Sequence, residues 1–351
     1  MRRITKTVNI NGCMIGGDNR IAVQSMLNTK TSDIESGCRQ IDRLLSAGCD
    51  IIRFTVPDIK TASCVYEYKS RYPSTPFVAD IHFEYKIALA CIDAGIDKIR
   101  INPGNIGSDD GVKAVAEAAK KKNIPIRIGV NSGSLEKHIL HKYGSPTAEA
   151  LAESAFYHAS LLEKYDFTDI VISVKSSDLR TMIGANRIIA AKCDYPLHLG
   201  ITEAGTKQYG TLKSAVGIGS LLCDGIGDTV RVSLTDDPVE EVTAAKQLLE
   251  ALDLSDNRIT VISCPTCGRT EIDLIKLCED FDKIKTELHP SKKIKVALMG
   301  CVVNGPGEAR ECDIGIAGGK GEALLFKNGE PLYKIPYEKI LQILKEEINK
   351  L

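Results

Sequence analysis

With 351 residues the chain exceeds the roughly 250 to 300 at which one hydrophobic core stops growing, so two domains of unequal size are expected. Lys plus Arg (45) and Asp plus Glu (46) nearly cancel, which excludes a global field drawing the protein to nucleic acid or to an anionic membrane surface; any anion site must be local. With no Trp and 5% aromatic residues, the chain also lacks the basic, aromatic-interleaved stripe of an RNA-binding module. No apolar run approaches the roughly 18 residues of a membrane span, and none follows Arg2, Arg3 and Lys6, so a cytoplasmic protein without membrane contact is expected. Twelve cysteines in that setting point away from disulfides and, where they cluster, toward a metal.

From Ile21 to about Leu252 one theme repeats eight times: a short β-rich run, a turn, then an amphipathic stretch. The expected strands are Ile21 to Met26, Ile51 to Val56, Phe77 to His82, Lys98 to Asn102, Ile126 to Asn131, Ile170 to Lys175, Leu197 to Thr202 and Thr229 to Leu234. Helical segments such as Ser32 to Ala47, Ala148 to Glu163 and Pro238 to Leu252 lie between them. Eight alternating units predict an α/β fold of the (β/α)8 TIM-barrel type over residues 1–252, in preference to an open doubly wound sheet. The polar stretch Asp253 to Arg258 reads as a linker. A smaller α+β domain over 259–351 follows: a strand into Cys264, a helix from Glu271 to Glu287, a strand Ile294 to Met299, a Gly-rich loop and a strand Ile314 to Ala317. A hairpin at Asn328-Gly329 and a helix from Tyr337 complete it.

Parallel strands buried on both faces should be almost wholly apolar, yet these carry polar residues at alternate positions near their C-terminal ends. Arg53 with Thr55, Asp80 with His82, Arg100 with Asn102, Arg127 with Asn131, Ser173 with Lys175, His198 with Thr202 and Arg231 with Ser233 each share one strand face. If that face is the interior, Arg53, Arg100, Arg127, Lys175 and Arg231 stand against Asp80 and Glu203. Five cations against two carboxylates in a cleft call for an anionic ligand such as a diphosphate. The bland reading is a set of ion-pair layers that only fill the barrel. Asn102-Pro103-Gly104-Asn105-Ile106-Gly107 and Asn131-Ser132-Gly133-Ser134 are loops whose backbone N–H groups can approach an anion.

Cys264-Pro265-Thr266-Cys267-Gly268 can hold one metal centre between two thiolates, and Gly300-Cys301 opens a second loop that runs through Asn304-Gly305-Pro306-Gly307-Glu308. Cys278 lies in an expected helix, Cys312 is farther along, and His289 is the sole histidine of this region. Spacing alone leaves two readings open, a structural zinc and an iron-sulfur cluster whose fourth ligand is a carboxylate.

Taken together, Val23-Gln24-Ser25-Met26, Ile52-Arg53-Phe54-Thr55-Val56-Pro57, Ala79-Asp80-Ile81-His82-Phe83, Arg100-Ile101-Asn102-Pro103-Gly104-Asn105, Thr202-Glu203-Ala204-Gly205, Cys264-Pro265-Thr266-Cys267-Gly268-Arg269 and Asn304-Gly305-Pro306-Gly307-Glu308 resemble the two-domain bacterial 4-hydroxy-3-methylbut-2-enyl diphosphate synthases. The resemblance runs along essentially the whole chain, in order. It implies a 4Fe-4S cluster on Cys264, Cys267, Cys301 and Glu308. It implies reductive opening of 2-C-methyl-D-erythritol 2,4-cyclodiphosphate in the non-mevalonate isoprenoid pathway, with electrons from flavodoxin or ferredoxin. By motif, Arg53, Arg100, Arg127, Lys175 and Arg231 would grip the diphosphate, Asn102, Asn131 and Ser233 would add hydrogen bonds, and Glu203 would act as acid or base. Asp80 and His82 would shape the same pocket. It also implies a head-to-tail homodimer whose site is shared between chains, which the short linker favours. The alternative is a metal-free TIM-barrel transferase resembling dihydropteroate synthase, with a structural zinc domain.

Overall fold

A computed structural model describes residues 2–255, 258–285, 287–302 and 311–351. Contacts divide the chain into two compact units, Met1–Ser255 and Asp256–Leu351.

The first unit opens with a hairpin, β1 (Val8–Ile10) and β2 (Cys13–Ile15), and continues with eight strands: β3 (Ala22–Met26), β4 (Ile51–Thr55), β5 (Phe77–Asp80), β6 (Lys98–Ile101), β7 (Ile126–Asn131), β8 (Ile170–Lys175), β9 (His198–Gly200) and β10 (Thr229–Arg231). The eight pair in the order β8-β7-β6-β5-β4-β3-β10-β9, all parallel. A further parallel bridge between Ile172 and Leu197 joins β8 to the chain entering β9, so the sheet closes on itself. This is the expected TIM barrel. β9 and β10 are shorter than expected because their last polar residues have already left the ladder for the mouth loops.

The helices form where an apolar stripe meets a start signal. Asp33, Asp58, Thr147 and Asp178 each accept a backbone N–H two or three residues into the helix they precede. Asp237 does the same for the helix Pro238–Ala251, whose Pro is in its first turn. Apolar faces pack on the sheet in one continuous core, where Phe54, Tyr68 and Phe77 meet with ring centroids 5.3 to 6.2 Å apart.

The hairpin was not among the expected elements. Ile10 pairs with Cys13 across Asn11-Gly12, both at positive φ (48° and 86°), and Gly12 N–H donates to Asn9 Oδ1 at 2.8 Å. These are the marks of a two-residue primed turn. Val8, Ile10 and Ile15 pack against Ala22, Ile51, Val78 and Val171. The hairpin therefore covers the N-terminal end of the barrel, and the polar strand ends lie at the other.

In the second unit β11 (Ile259–Ser263), β12 (Ile294–Met299) and β13 (Ile314–Gly318) are parallel neighbours, and β14 (Glu322–Lys327) and β15 (Glu330–Pro336) extend the sheet antiparallel. Lys327 pairs with Glu330 across Asn328-Gly329, the hairpin expected there, with φ of 50° and 80°. Leu277 and Phe281 of the helix Leu274–Lys285, with Leu344 and Ile348 of the helix Ile340–Ile348, join Val296, Ile316 and Leu325 in its core.

Candidate active site

The alternating polar residues do face one another at the C-terminal end of the barrel, and a single carboxylate organises them. Asp80, 4% exposed at the end of β5, receives Arg100 Nη1 on Oδ1 at 3.2 Å and pairs through Oδ2 with Arg53 Nη2. His82 Nε2 stands 3.4 Å from the same carboxylate. Burial would raise the Asp80 carboxyl, but the Arg53 charge, the His82 hydrogen bond and Arg100 hold it well below its ordinary range. Arg100 is fixed from a second side, since Nη2 donates to Gly129 O at 2.7 Å. Gly129 has to be glycine: a Cβ there would lie 2.2 Å from Arg100 Nε and 2.6 Å from Nη2. Asn102 Oδ1 accepts Gly129 N–H at 3.0 Å, which leaves its amide nitrogen to donate elsewhere.

The other cations are less satisfied. Arg53 Nε is buried without a partner among the described residues, and burial brings this guanidinium down to about 10 despite Asp80. Arg127, in register with Arg100, is 1% exposed; Nη1 reaches Gln24 Oε1 at 3.4 Å and Nε has no partner among the described residues. Lys175 is 7% exposed at the end of β8, and its Nζ lies where a Cβ on Gly200 would come within 2.7 Å. Burial and then the neighbouring arginines hold both Arg127 and Lys175 well below their ordinary values. Arg231 donates from Nε and Nη2 to the two oxygens of Glu241, each at 3.2 Å.

Two members of this interior escaped the sequence reading. Lys98 shares a strand face with Arg100, is fully buried, and has no partner on Nζ among the described residues; burial and then Arg127 hold it well below a free lysine. Its K-x-R spacing carries the signal. Glu241 lies in the first turn of an outer helix, where an acid is ordinarily a solvated complement to the helix dipole. The expected counter-charge, Glu203, is exposed in the turn after β9 at φ 55°, and makes no ion pair with these residues among those described. The mouth therefore holds Arg53, Arg100, Arg127, Lys175 and Arg231 against Asp80 and Glu241, while Lys98 lies at the strand starts, where Asp169 faces it. The ion-pair layer is real, yet it accounts for only part of the charge, and three more positive side chains than carboxylates remain in a low-dielectric cleft. His198 adds a buried ring with Nδ1 2.8 Å from Thr229 Oγ1 and Nε2 without a partner among the described residues, held well below its ordinary value by burial and then Arg127. Asn131 and Ser233 are half-buried at the ends of β7 and β10.

A brace steadies the mouth. His158, buried on the helix Ala148–Glu163, accepts Gly104 N–H on Nδ1 at 3.0 Å and holds Glu136 Oε1 at 2.5 Å through Nε2. Glu136, whose other oxygen accepts Ser154 Oγ at 2.8 Å, follows the β7 loop. The two glycine-bearing loops are thus tied to one helix.

In the second unit Cys264 directly follows β11, and Gly300-Cys301 follows its neighbour β12. Gly300 N–H donates to Cys264 Sγ at 3.2 Å, which ties the two loops together. Cys267 is exposed and Cys301 buried. Among the described residues no three His, Cys, Asp or Glu side chains converge on one point, and Glu308, with the rest of Asn304-Gly305-Pro306-Gly307, lies outside them. Three soft sulfur donors at two adjoining strand ends suit iron-sulfur chemistry. Cys278 sits in a helix, where burial raises its thiol, and Cys312 is buried in the sheet core.

Family models for the GcpE TIM-barrel domain and the GcpE protein C-terminal domain match residues 5–246 and 260–350. The chain belongs to the GcpE family. It is 57% identical to the 4-hydroxy-3-methylbut-2-en-1-yl diphosphate synthase (flavodoxin) of Fusobacterium nucleatum, over 99% of this chain and 98% of that protein. It is 56% identical to the enzyme of the same name from Caldanaerobacter subterraneus, over 100% and 98%. Among solved structures, dihydropteroate synthases from Stenotrophomonas maltophilia (13% identical, TM-score 0.51, 71% of this chain and 98% of that one) and Burkholderia cenocepacia (13%, 0.50, 72% and 99%) share the fold alone. The family match spans both units, so the transferase alternative is not favoured. No described helix is long and apolar enough to cross a membrane.

Proposed function

We propose that this chain is a 4-hydroxy-3-methylbut-2-enyl diphosphate synthase: it opens and reductively dehydroxylates 2-C-methyl-D-erythritol 2,4-cyclodiphosphate, with flavodoxin or ferredoxin as electron donor. The observation that carries this reading is the surplus of buried cations at the barrel mouth, which a diphosphate neutralises. Arg53, Arg127, Lys175 and Arg231 have donors to offer it, Arg100 is the fixed member of the set, and Asn102, Asn131 and Ser233 add hydrogen bonds. Glu203, exposed beside that mouth, is the candidate to manage the proton that lets the hydroxyl leave as water. Cys264, Cys267 and Cys301 with Glu308 would hold a 4Fe-4S cluster, which when bound supplies electrons one at a time and a Lewis-acidic iron. The barrel binds and orients the diphosphate, and the smaller unit carries the redox group.

The direct test is turnover. Protein purified without oxygen is supplied with the cyclic diphosphate and chemically reduced flavodoxin, and the product is read by phosphorus NMR. Conversion to a linear allylic diphosphate is expected. Intact substrate, with full iron and sulfide content, would sink the reading. Gly129→Ala is expected to lower kcat/KM on the order of a hundredfold by pushing Arg100 off its two anchors, since small displacements of a binding group carry costs of that size. An unchanged kcat/KM would mean that Arg100 has no part in substrate binding.

The homodimer is proposed as well, with one chain's cluster serving the other's barrel. Mixing Cys264→Ser chains with Glu203→Ala chains, each inactive alone, should restore part of the activity. A mixture as dead as its components would place the whole site within one chain.

A further inference from the structure

We propose that Glu241 is a positioning residue for diphosphate binding: from outside the barrel it sets the orientation of Arg231 and so decides which edge of its guanidinium meets the substrate. The inference rests on the reading of the mouth as a diphosphate site. An acidic residue in a helix's first turn normally lies in water, but Glu241 is 3% exposed. All four of its contacts are donors aimed at the two carboxylate oxygens. Oε2 accepts Arg231 Nε at 3.2 Å and Ser25 Oγ at 3.1 Å; Oε1 accepts Arg231 Nη2 at 3.2 Å and the backbone N–H of Leu234 at 3.1 Å. Ser25 belongs to β3 and Arg231 to β10, and these two strands are paired, so Glu241 sits across the seam between them.

The side-on grip occupies Nε–H and one N–H of Nη2. What remains is the end of the guanidinium, the second N–H of Nη2 and those of Nη1, whose described contact is Met26 Sδ at 3.3 Å, a weak acceptor that a phosphate oxygen readily displaces. Arg231 is thereby presented end-on, through the Nη1–Nη2 edge, where an unheld arginine could equally offer its Nε–Nη2 edge. The same geometry explains a motif that the activity left unexplained. In Val23-Gln24-Ser25-Met26, Gln24 touches Arg127, Met26 touches Arg231, and Ser25, facing the other way, holds the carboxylate that holds Arg231. β3 thereby sets two of the cations.

The test is a double-mutant cycle on Arg231→Ala and Glu241→Gln, with KM and kcat for the cyclic diphosphate measured on the full holoenzyme. Glu241→Gln is expected to raise KM about tenfold, in line with loss of a charge-assisted contact, while kcat changes by less than about threefold. In the Arg231→Ala background the same change is expected to do nothing further, because Glu241 then has no arginine to orient. Effects that multiply would show a helix anchor with no special tie to Arg231, and would overturn the inference. So would a raised KM in Arg231→Ala beside an unchanged KM in Glu241→Gln. An unchanged KM in Arg231→Ala would overturn the diphosphate reading itself. Should the glutamine variant fail to fold, Glu241→Asp keeps the charge but withdraws it from the guanidinium, and the same cycle with it decides the matter.

Discussion

Asp80→Asn is expected to abolish turnover and to remove about 3 to 5 kcal/mol of stability, the range for stripping one partner from a buried ion pair. The amide would keep the shape of the side chain but not its charge, and Arg53 and Arg100 would face each other beside Arg127 and Lys175 with no nearby anion. Chemical denaturation measures the stability and steady-state kinetics the turnover. A variant as stable and active as the parent would show that the cations need no carboxylate at their centre. The pH dependence has a definite sign. Because the folded carboxyl is held well below its ordinary range, its contribution is full above the unfolded value of about 4 and is lost as pH falls through the folded one. The parent should therefore lose more stability in acid than Asp80→Asn, which keeps only the share of the other lowered carboxyls such as Glu136.

Serine at Cys264, Cys267 or Cys301 is expected to remove most of the iron and all of the activity while leaving the barrel folded, because hydroxyls are poor ligands for the soft iron centres that thiolates hold. Protein purified without oxygen should carry about four irons and four acid-labile sulfides per chain. Cys278→Ala and Cys312→Ala serve as controls. The first thiol lies in a helix and the second is 2% exposed in the sheet core, so both variants should keep their iron. One zinc per chain without sulfide would remove the redox half of the proposal and leave an anion-binding barrel.

The eight barrel strands were legible because each is a short-range pattern: a β-rich run bounded by turn residues, repeated at even intervals. The N-terminal hairpin carries an equally local signal, Asn11-Gly12, but its strands of three residues are too short to show an alternating pattern. The cationic strand ends were legible from their two-residue spacing, which forces a shared face whatever the register. Their counter-ions were not. Glu203 follows a strand and so looks like the second carboxylate, whereas Glu241 looks like an ordinary helix-start acid until the packing of that helix against β3 carries it to Arg231. Lys98 is a related case, since nothing local tells a strand-opening lysine at the surface from one sealed inside.

Local periodicity and motif order thus sufficed for the fold class, the two-part organisation, the family and the types of residue that carry the chemistry, because each depends on neighbours only a few positions apart. The tertiary structure alone decided which carboxylates neutralise which arginines, which cations keep free donors, and that one end of the barrel is covered by the hairpin. Those outcomes depend on residues brought together from distant segments, where burial sets the strength of every charge and no spacing in the chain records it.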